Sequence, residues 1–387
     1  MSTSEGRDLT LQTEQVLTVK NLVTRAVCGL PQMFDSRSGL FCYKVKKTAD
    51  SLVQEAVSHR YTVMTLLGLH RLEQSGTRSP IELKPILERL LADIRWADNV
   101  GDFGLLLWLV CIVAPERLDE LDSRISIANC SKTRLETDQG ITMRLAWFLT
   151  GISYYAQVSG RPEKVKDIAS ETYKRLTANQ GKGGYFSHQA MRGIKGSLRG
   201  WMGSFADQVY PIYGMTQFAQ VFGDKTALQR ATECAIAICE AQGPLGQWWW
   251  HYDSRKGSVF EEYPVFSVHQ HGMAPMTLLA LSRATGTNFD RWIYKGLEWI
   301  DRKNELAVNM EDVSANVIWR CIRRSPLRRV SDALLHSGAN HGNSRPNGLK
   351  VLFECRPYEL GWLLYGLVDL LPDSPGAKQE PRASRVV

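Results

Sequence analysis

MRLAWFLTGISYYAQV, residues 143–158, decides how the chain is read. Its spacing is helical, yet apolar or small residues cover nearly every side, and Gly151 sits in the middle. A surface helix keeps a charged face, so this one is read as buried on most sides. Glycine inside a helix costs about 1 kcal/mol relative to alanine. The loss makes sense where close helix packing, or a ligand, needs the missing side chain. Five more segments share this character: Arg60 to Leu72, Gly101 to Ile112, Phe205 to Phe222, Val268 to Ala284 and Pro357 to Leu371. Gly68, Gly214 and Gly366 repeat the internal glycine.

Between them lie amphipathic, charged segments: Ser79 to Trp96, Pro162 to Asn179, Lys225 to Gln242 and Phe289 to Asn304. In the third, Leu228, Ala231, Ala235, Ile238 and Cys239 form one apolar stripe. Buried inner helices alternating with half-exposed outer ones, six times over, describe an all-α fold, an (α/α)6 toroid. Each hairpin hides its apolar face only against its neighbours, so closure into a ring leaves no bare end. We expect one domain over residues 1–371 and a disordered tail, PDSPGAKQEPRASRVV, over 372–387. Repeats lengthen toward the C-terminus, which puts the long connections at one mouth of the ring. Period-two runs are few; the best, Tyr252 to Val265, allows a short hairpin.

Composition narrows the class. The chain has 387 residues, 44% of them hydrophobic, enough for a sizeable core. No apolar run reaches the roughly 18–20 residues of a membrane span, and the N-terminus is polar. The eight cysteines are scattered, without a CxxC pair or zinc spacing, and read as reduced thiols. These points lead us to expect a cytoplasmic, not membrane-spanning protein. The net charge of +7 is concentrated at Arg320 to Arg329. No alternation of basic and aromatic residues suits a nucleic-acid groove, so nucleic acid is not expected as a partner.

The residues suited to chemistry crowd into QGPLGQWWWHYDSRKGSVFEEYPVFSVHQHGMAPM, residues 242–276. Trp248, Trp249 and Trp250 cannot all face one core, so at least one is expected at a cavity, where a tryptophan face stacks on sugar C–H surface. The segment reads as a loop running into the fifth inner helix, with His269 and His271 in its first turns. Asp207-Gln-Val-Tyr210-Pro opens the fourth inner helix much as Glu262-Tyr263-Pro opens the fifth. Asp207 and Glu262 are therefore expected to face each other across the mouth as an acid–base pair, with Asp253 and His269 behind them. Arg60, Arg356 and Glu359 open the first and sixth inner helices, which a closed ring makes neighbours. Arginine holds carboxylate or phosphate bidentately, suiting an acidic sugar. His269 and His271, two residues apart, cannot share a helix face, and no HExxH, GxGxxG or P-loop occurs. We expect no metal and no cofactor.

The run GQWWWHYD…EEYPVFSVHQHG resembles cavity-lining segments of six-hairpin glycosidase-like toroids, among them unsaturated glucuronyl hydrolases and glucuronyl C5-epimerases. It is also similar to toroid proteins encoded with exopolysaccharide biosynthesis enzymes. The resemblance implies a carbohydrate-active protein of polysaccharide metabolism acting on a glycan or sugar intermediate. The reaction would be hydrolysis, elimination or epimerisation, with Tyr210, Tyr263 and His271 among the substrate-binding residues. It also implies association with a polysaccharide assembly complex. Two alternatives stand beside it: a terpenoid cyclase with an aromatic cavity, although the DxDD acid motif is missing, and a non-catalytic glycan-binding scaffold.

Overall fold

The computed structural model describes residues 2–49, 51–189, 200–325 and 348–372. The first half of the chain forms α1 (Ser2–Gly29), α2 (His59–Gln74), α3 (Leu83–Ala92), α4 (Val100–Val113), α5 (Leu118–Ile125), α6 (Ile127–Thr137) and α7 (Thr142–Ser159). The second half forms α8 (Lys166–Thr177), α9 (Ala206–Phe222), α10 (Lys225–Glu240), α11 (Ala274–Thr285), α12 (Asp290–Ile300) and α13 (Pro357–Leu367). A π-helical turn, His269–Met273, leads into α11.

The six glycine-bearing or strongly apolar segments are the inner helices α2, α4, α7, α9, α11 and α13. Each packs on the next, and α13 packs back on α2, which closes the ring. Outside them, α3 lies on α2, α6 on α4, α8 on α7, α10 on α9 and α12 on the π-helical turn. The sixth inner helix receives its outer partner from the other end of the chain, where α1 packs on α13. This is an (α/α)6 toroid, as the alternation of helices implies.

The glycines set how closely the inner helices approach. A Cβ on Gly68 would lie 2.0 Å from the Gly361 carbonyl oxygen, at the seam between α2 and α13. One on Gly151 would lie 2.0 Å from the Gly104 carbonyl oxygen between α7 and α4, and one on Gly214 2.9 Å from the Ala146 carbonyl oxygen between α9 and α7. A Cβ on Gly366 would come within 2.9 Å of the Met276 nitrogen on α11. Backbone meets backbone at each of these seams. Of the two reasons for the glycines, close helix packing is therefore the operative one. Along the axis, Trp108 stacks between Tyr154, Tyr213 and Trp362, and the Tyr213 hydroxyl bonds those of Tyr154 (3.0 Å) and Tyr365 (2.7 Å).

The reading of few strands needs correction. The described residues hold twelve short strands in four small sheets, all in connections that lead into the inner helices. They escape a period-two search because most are only two to four residues long. β1 (Phe34–Asp35), β2 (Leu40–Lys47) and β3 (Leu52–Val57) precede α2. β4 (Met202–Ser204) precedes α9, while β5 (His251–Asp253), β6 (Ser258–Glu261) and β7 (Val265–Phe266) precede α11. β8 (Glu311–Asp312), β9 (Val317–Ile318), β10 (Cys321–Arg324), β11 (Leu349–Leu352) and β12 (Glu354–Cys355) precede α13. β12 pairs with β2, so the first and sixth hairpins are joined at the mouth as well as along the helices. β4 pairs with β5, joining the fourth and fifth. Of the expected tail, 372–387, residues 373–387 lie outside those described, as do Pro326 to Arg329 of the basic cluster.

Replacing Gly68 or Gly151 by alanine forces the backbones apart. Each variant is expected to lose stability by about 1–3 kcal/mol or more, the usual cost of overpacking, read as a lower urea midpoint.

Candidate functional site

The mouth where the inner helices begin collects most of the polar side chains read from the sequence. Helix starts need partners for free N–H groups, and that requirement fixes several of these residues. Ser204 and Asp207 form a reciprocal cap at the head of α9. The Ser204 N–H donates to Asp207 Oδ2 at 2.9 Å, and the Asp207 N–H donates to Ser204 Oγ at 3.3 Å. Asp207 Oδ2 also accepts from Ser204 Oγ (2.8 Å) and lies 3.1 Å from His188 Nδ1. The Asp207 residue is 1% exposed, and its Oδ1 has no hydrogen-bond partner among the described residues. The His188 side chain is 46% exposed. Its imidazole is held above the ordinary histidine range by the hydrogen bond and charge of Asp207, against burial and Arg144.

His188 carries no signal in the sequence. It reaches Asp207 because the His188 carbonyl accepts from the Thr142 N–H at the start of α7, while Ile141 bridges to Gln189. Such a long-range pairing leaves no local pattern to read.

Glu262 stands on the other side of β5 from Asp207. Ser204 pairs with His251, and His251 with Glu261, so the two carboxylate-bearing segments lie two strand spacings apart, about 10 Å. The Glu262 carboxylate is half-buried and accepts no hydrogen bond among the described residues. The expected likeness between the two Tyr-Pro segments does not hold. Pro211 lies inside α9, whereas Pro264 leads into β7, kept extended by pairing with β10. Asp253 is removed from the acid–base candidates. It is buried, its Oδ1 accepts the N–H groups of Arg255 and Lys256, and its carboxylate pairs with Arg255, so it closes the turn between β5 and β6.

The three tryptophans part company. Trp248 is fully buried against Phe205, and Trp249 is buried with its indole N–H on the Ala241 carbonyl. Only Trp250 stays half-exposed, near-parallel to the His269 ring (13°) and against Phe266. A platform of three therefore reduces to one. His269 and His271 are both buried, and burial pushes each down to about 3, so both are neutral at pH 7. Tyr210 is buried and accepts from the Trp362 indole N–H, while Tyr263 donates to Glu305 at 3.0 Å.

The arginines line the mouth. Arg60 forms a bidentate pair with Asp102, at 2.5 and 2.8 Å, and lies over Trp147. Glu359 pairs with Arg320 and accepts the Arg356 N–H (3.0 Å). Burial pushes the Glu359 carboxyl up, against the pull of Arg320 and Arg356. Arg356 pairs with no carboxylate among the described residues. It donates to the Tyr61 hydroxyl (2.6 Å), lies over the Tyr43 ring (4.5 Å), and leaves a buried Nε without a partner among the described residues. So charged a mouth is unlike a dry funnel for a polyene. No group of three or more histidine, cysteine, aspartate or glutamate side chains among the described residues is placed to hold a metal.

No family model matches the chain, and comparison with curated proteins finds no relative. Solved structures do match. An unsaturated glucuronyl hydrolase specific for heparin shares 16% identity, covering 92% of this chain and 97% of its own, with a TM-score of 0.59. An unsaturated glucuronyl hydrolase from Bacillus sp. GL1 shares 14%, covering 91% and 96%, with a TM-score of 0.59. A glycosyl hydrolase family 88 protein from Bacteroides vulgatus shares 11%, covering 92% and 99%, with a TM-score of 0.55. The fold of this chain is therefore the (α/α)6 toroid of these structures, over nearly its whole length.

The buried histidines make stability depend on pH. Unfolded, each binds a proton near its ordinary value of 6.5; folded, neither does until about 3. Between those values the unfolded chain holds more protons, so stability falls as pH drops, by up to about 1.4 kcal/mol per pH unit for each histidine. The urea midpoint is expected to fall from pH 7 to pH 5, and to fall less in the His269→Gln/His271→Gln double variant. Equal slopes in the two proteins would show that the histidines are not held neutral.

Proposed function

We propose that this toroid is a carbohydrate-active enzyme that hydrolyses a glycan bearing an acidic sugar, with its acid–base group seated at Asp207. The observation that carries the reading is Asp207 itself: a buried carboxylate in the first turn of an inner helix, one oxygen without a partner among the described residues, bonded to a half-exposed histidine. Arg356, with no carboxylate of its own among the described residues, supplies a guanidinium for the anionic group of the sugar. Half-exposed Trp250 supplies a stacking face, and Glu262 is the second carboxylate. Three solved structures of like fold are named as glycoside hydrolases, two of them acting on unsaturated glucuronyl groups, which supports a glycan as substrate class. A cytoplasmic setting and association with a polysaccharide assembly complex belong to the same proposal. The eight cysteines, all free thiols, support the first. No helix among the described residues is long and apolar enough to cross a membrane.

The test is a panel of oligosaccharides with and without terminal uronate, with products read by mass spectrometry. Turnover is expected for acidic substrates. Asp207→Asn should lower kcat by about 10²–10⁴-fold while the fold survives, since asparagine still caps α9. Arg356→Ala should raise KM for acidic substrates more than it lowers kcat. Absence of turnover across the panel, or full activity of Asp207→Asn, would reject the reading.

A further inference from the structure

The two groups that meet at the head of α9 differ in what they can reach. Asp207 is 1% exposed, and its Oδ2 is fixed by Ser204 N–H, Ser204 Oγ and His188 Nδ1. The His188 side chain is 46% exposed. A carboxylate oxygen only accepts, so Nδ1 must be the donor in that bond. The exchangeable proton of the imidazole is then on Nε2, the nitrogen not engaged by Asp207. A buried carboxylate that fixes the tautomer and orientation of a histidine is the arrangement by which imidazole becomes a positioned acid or base.

We infer that His188 is the catalytic residue that passes the proton to substrate, and that Asp207 is its positioning residue. This rests on the glycan-hydrolase reading and deepens it. In the step implied, the imidazolium gives its Nε2 proton to the leaving oxygen as the glycosidic C–O bond breaks. Water adds to the carbon so released, and its surplus proton returns to the neutral imidazole. Among the described residues, two charged groups act on the ring: Asp207 of α9, which favours the imidazolium, and Arg144 of α7, which opposes it. Arg144 is itself 3.9 Å from Asp138.

The test uses the full chain, with the best substrate from the oligosaccharide panel and NMR of the histidine side chains. His188→Gln should lower kcat by about 10²-fold or more with KM within about threefold. In the wild type, the rate should fall as pH rises through the raised histidine value. Asp207→Asn should move both that fall and the NMR titration of His188 to lower pH, and Asp207→Glu should restore them in part. If His188→Gln keeps near-full activity while Asp207→Asn is dead, the aspartate touches substrate and the inference fails, though the glycan reading stands. If no oligosaccharide turns over, that reading fails, and the pairing is judged by NMR alone. A His188 titration indifferent to Asp207→Asn overturns it.

Discussion

At the closing seam of the ring the backbone of α2 runs against that of α13, with Gly68 facing the Gly361 carbonyl. No side chain separates the two helices there, and the same holds where Gly151 meets Gly104. Everything else in the toroid depends on that closeness. Six inner helices brought so near leave their axis only as wide as the aromatic side chains that fill it, with Trp108 and three tyrosines meeting in the middle. Close packing at the glycines gains dispersion contacts that a methyl group would forfeit, because protein interiors tolerate little excess volume.

A ring with parallel inner helices gathers their free N–H groups at one mouth. Those groups call for acceptors, and side chains such as Ser58, Asn99 and the Ser204–Asp207 pair answer locally. The long connections enter at the same mouth and are stitched together by short strands, β12 on β2 and β4 on β5. Chemistry and architecture therefore share their parts. Asp207 caps a helix and holds a histidine at once. Glu359 caps α13 while neutralising Arg320. Arg356 is left facing aromatic rings with no carboxylate of its own among the described residues.

Much of the fold could be read directly. The positions of all six inner helices, four of the outer ones, and the placing of the long connections follow from hydrophobic periodicity and loop length, which are local properties of the chain. The candidate site was legible only in part. Asp207 and Arg356 announce themselves as charges at helix starts. The division of Trp248, Trp249 and Trp250 into two buried rings and one half-exposed ring does not, because it depends on distant partners such as Phe205, Ala241 and Phe266. Asp253 looks like a candidate acid until its two backbone donors and Arg255 are seen.

By itself, the sequence determined that apolar, glycine-bearing helices alternate with amphipathic ones and must stack to hide their faces, since both periodicity and packing volume are written residue by residue. Only the tertiary structure decided who meets whom: α1 completing the sixth hairpin, Arg60 going to Asp102, and His188 reaching Asp207. These partners are separated by up to hundreds of residues, and a contact made by ring closure leaves no trace in the local pattern of either one.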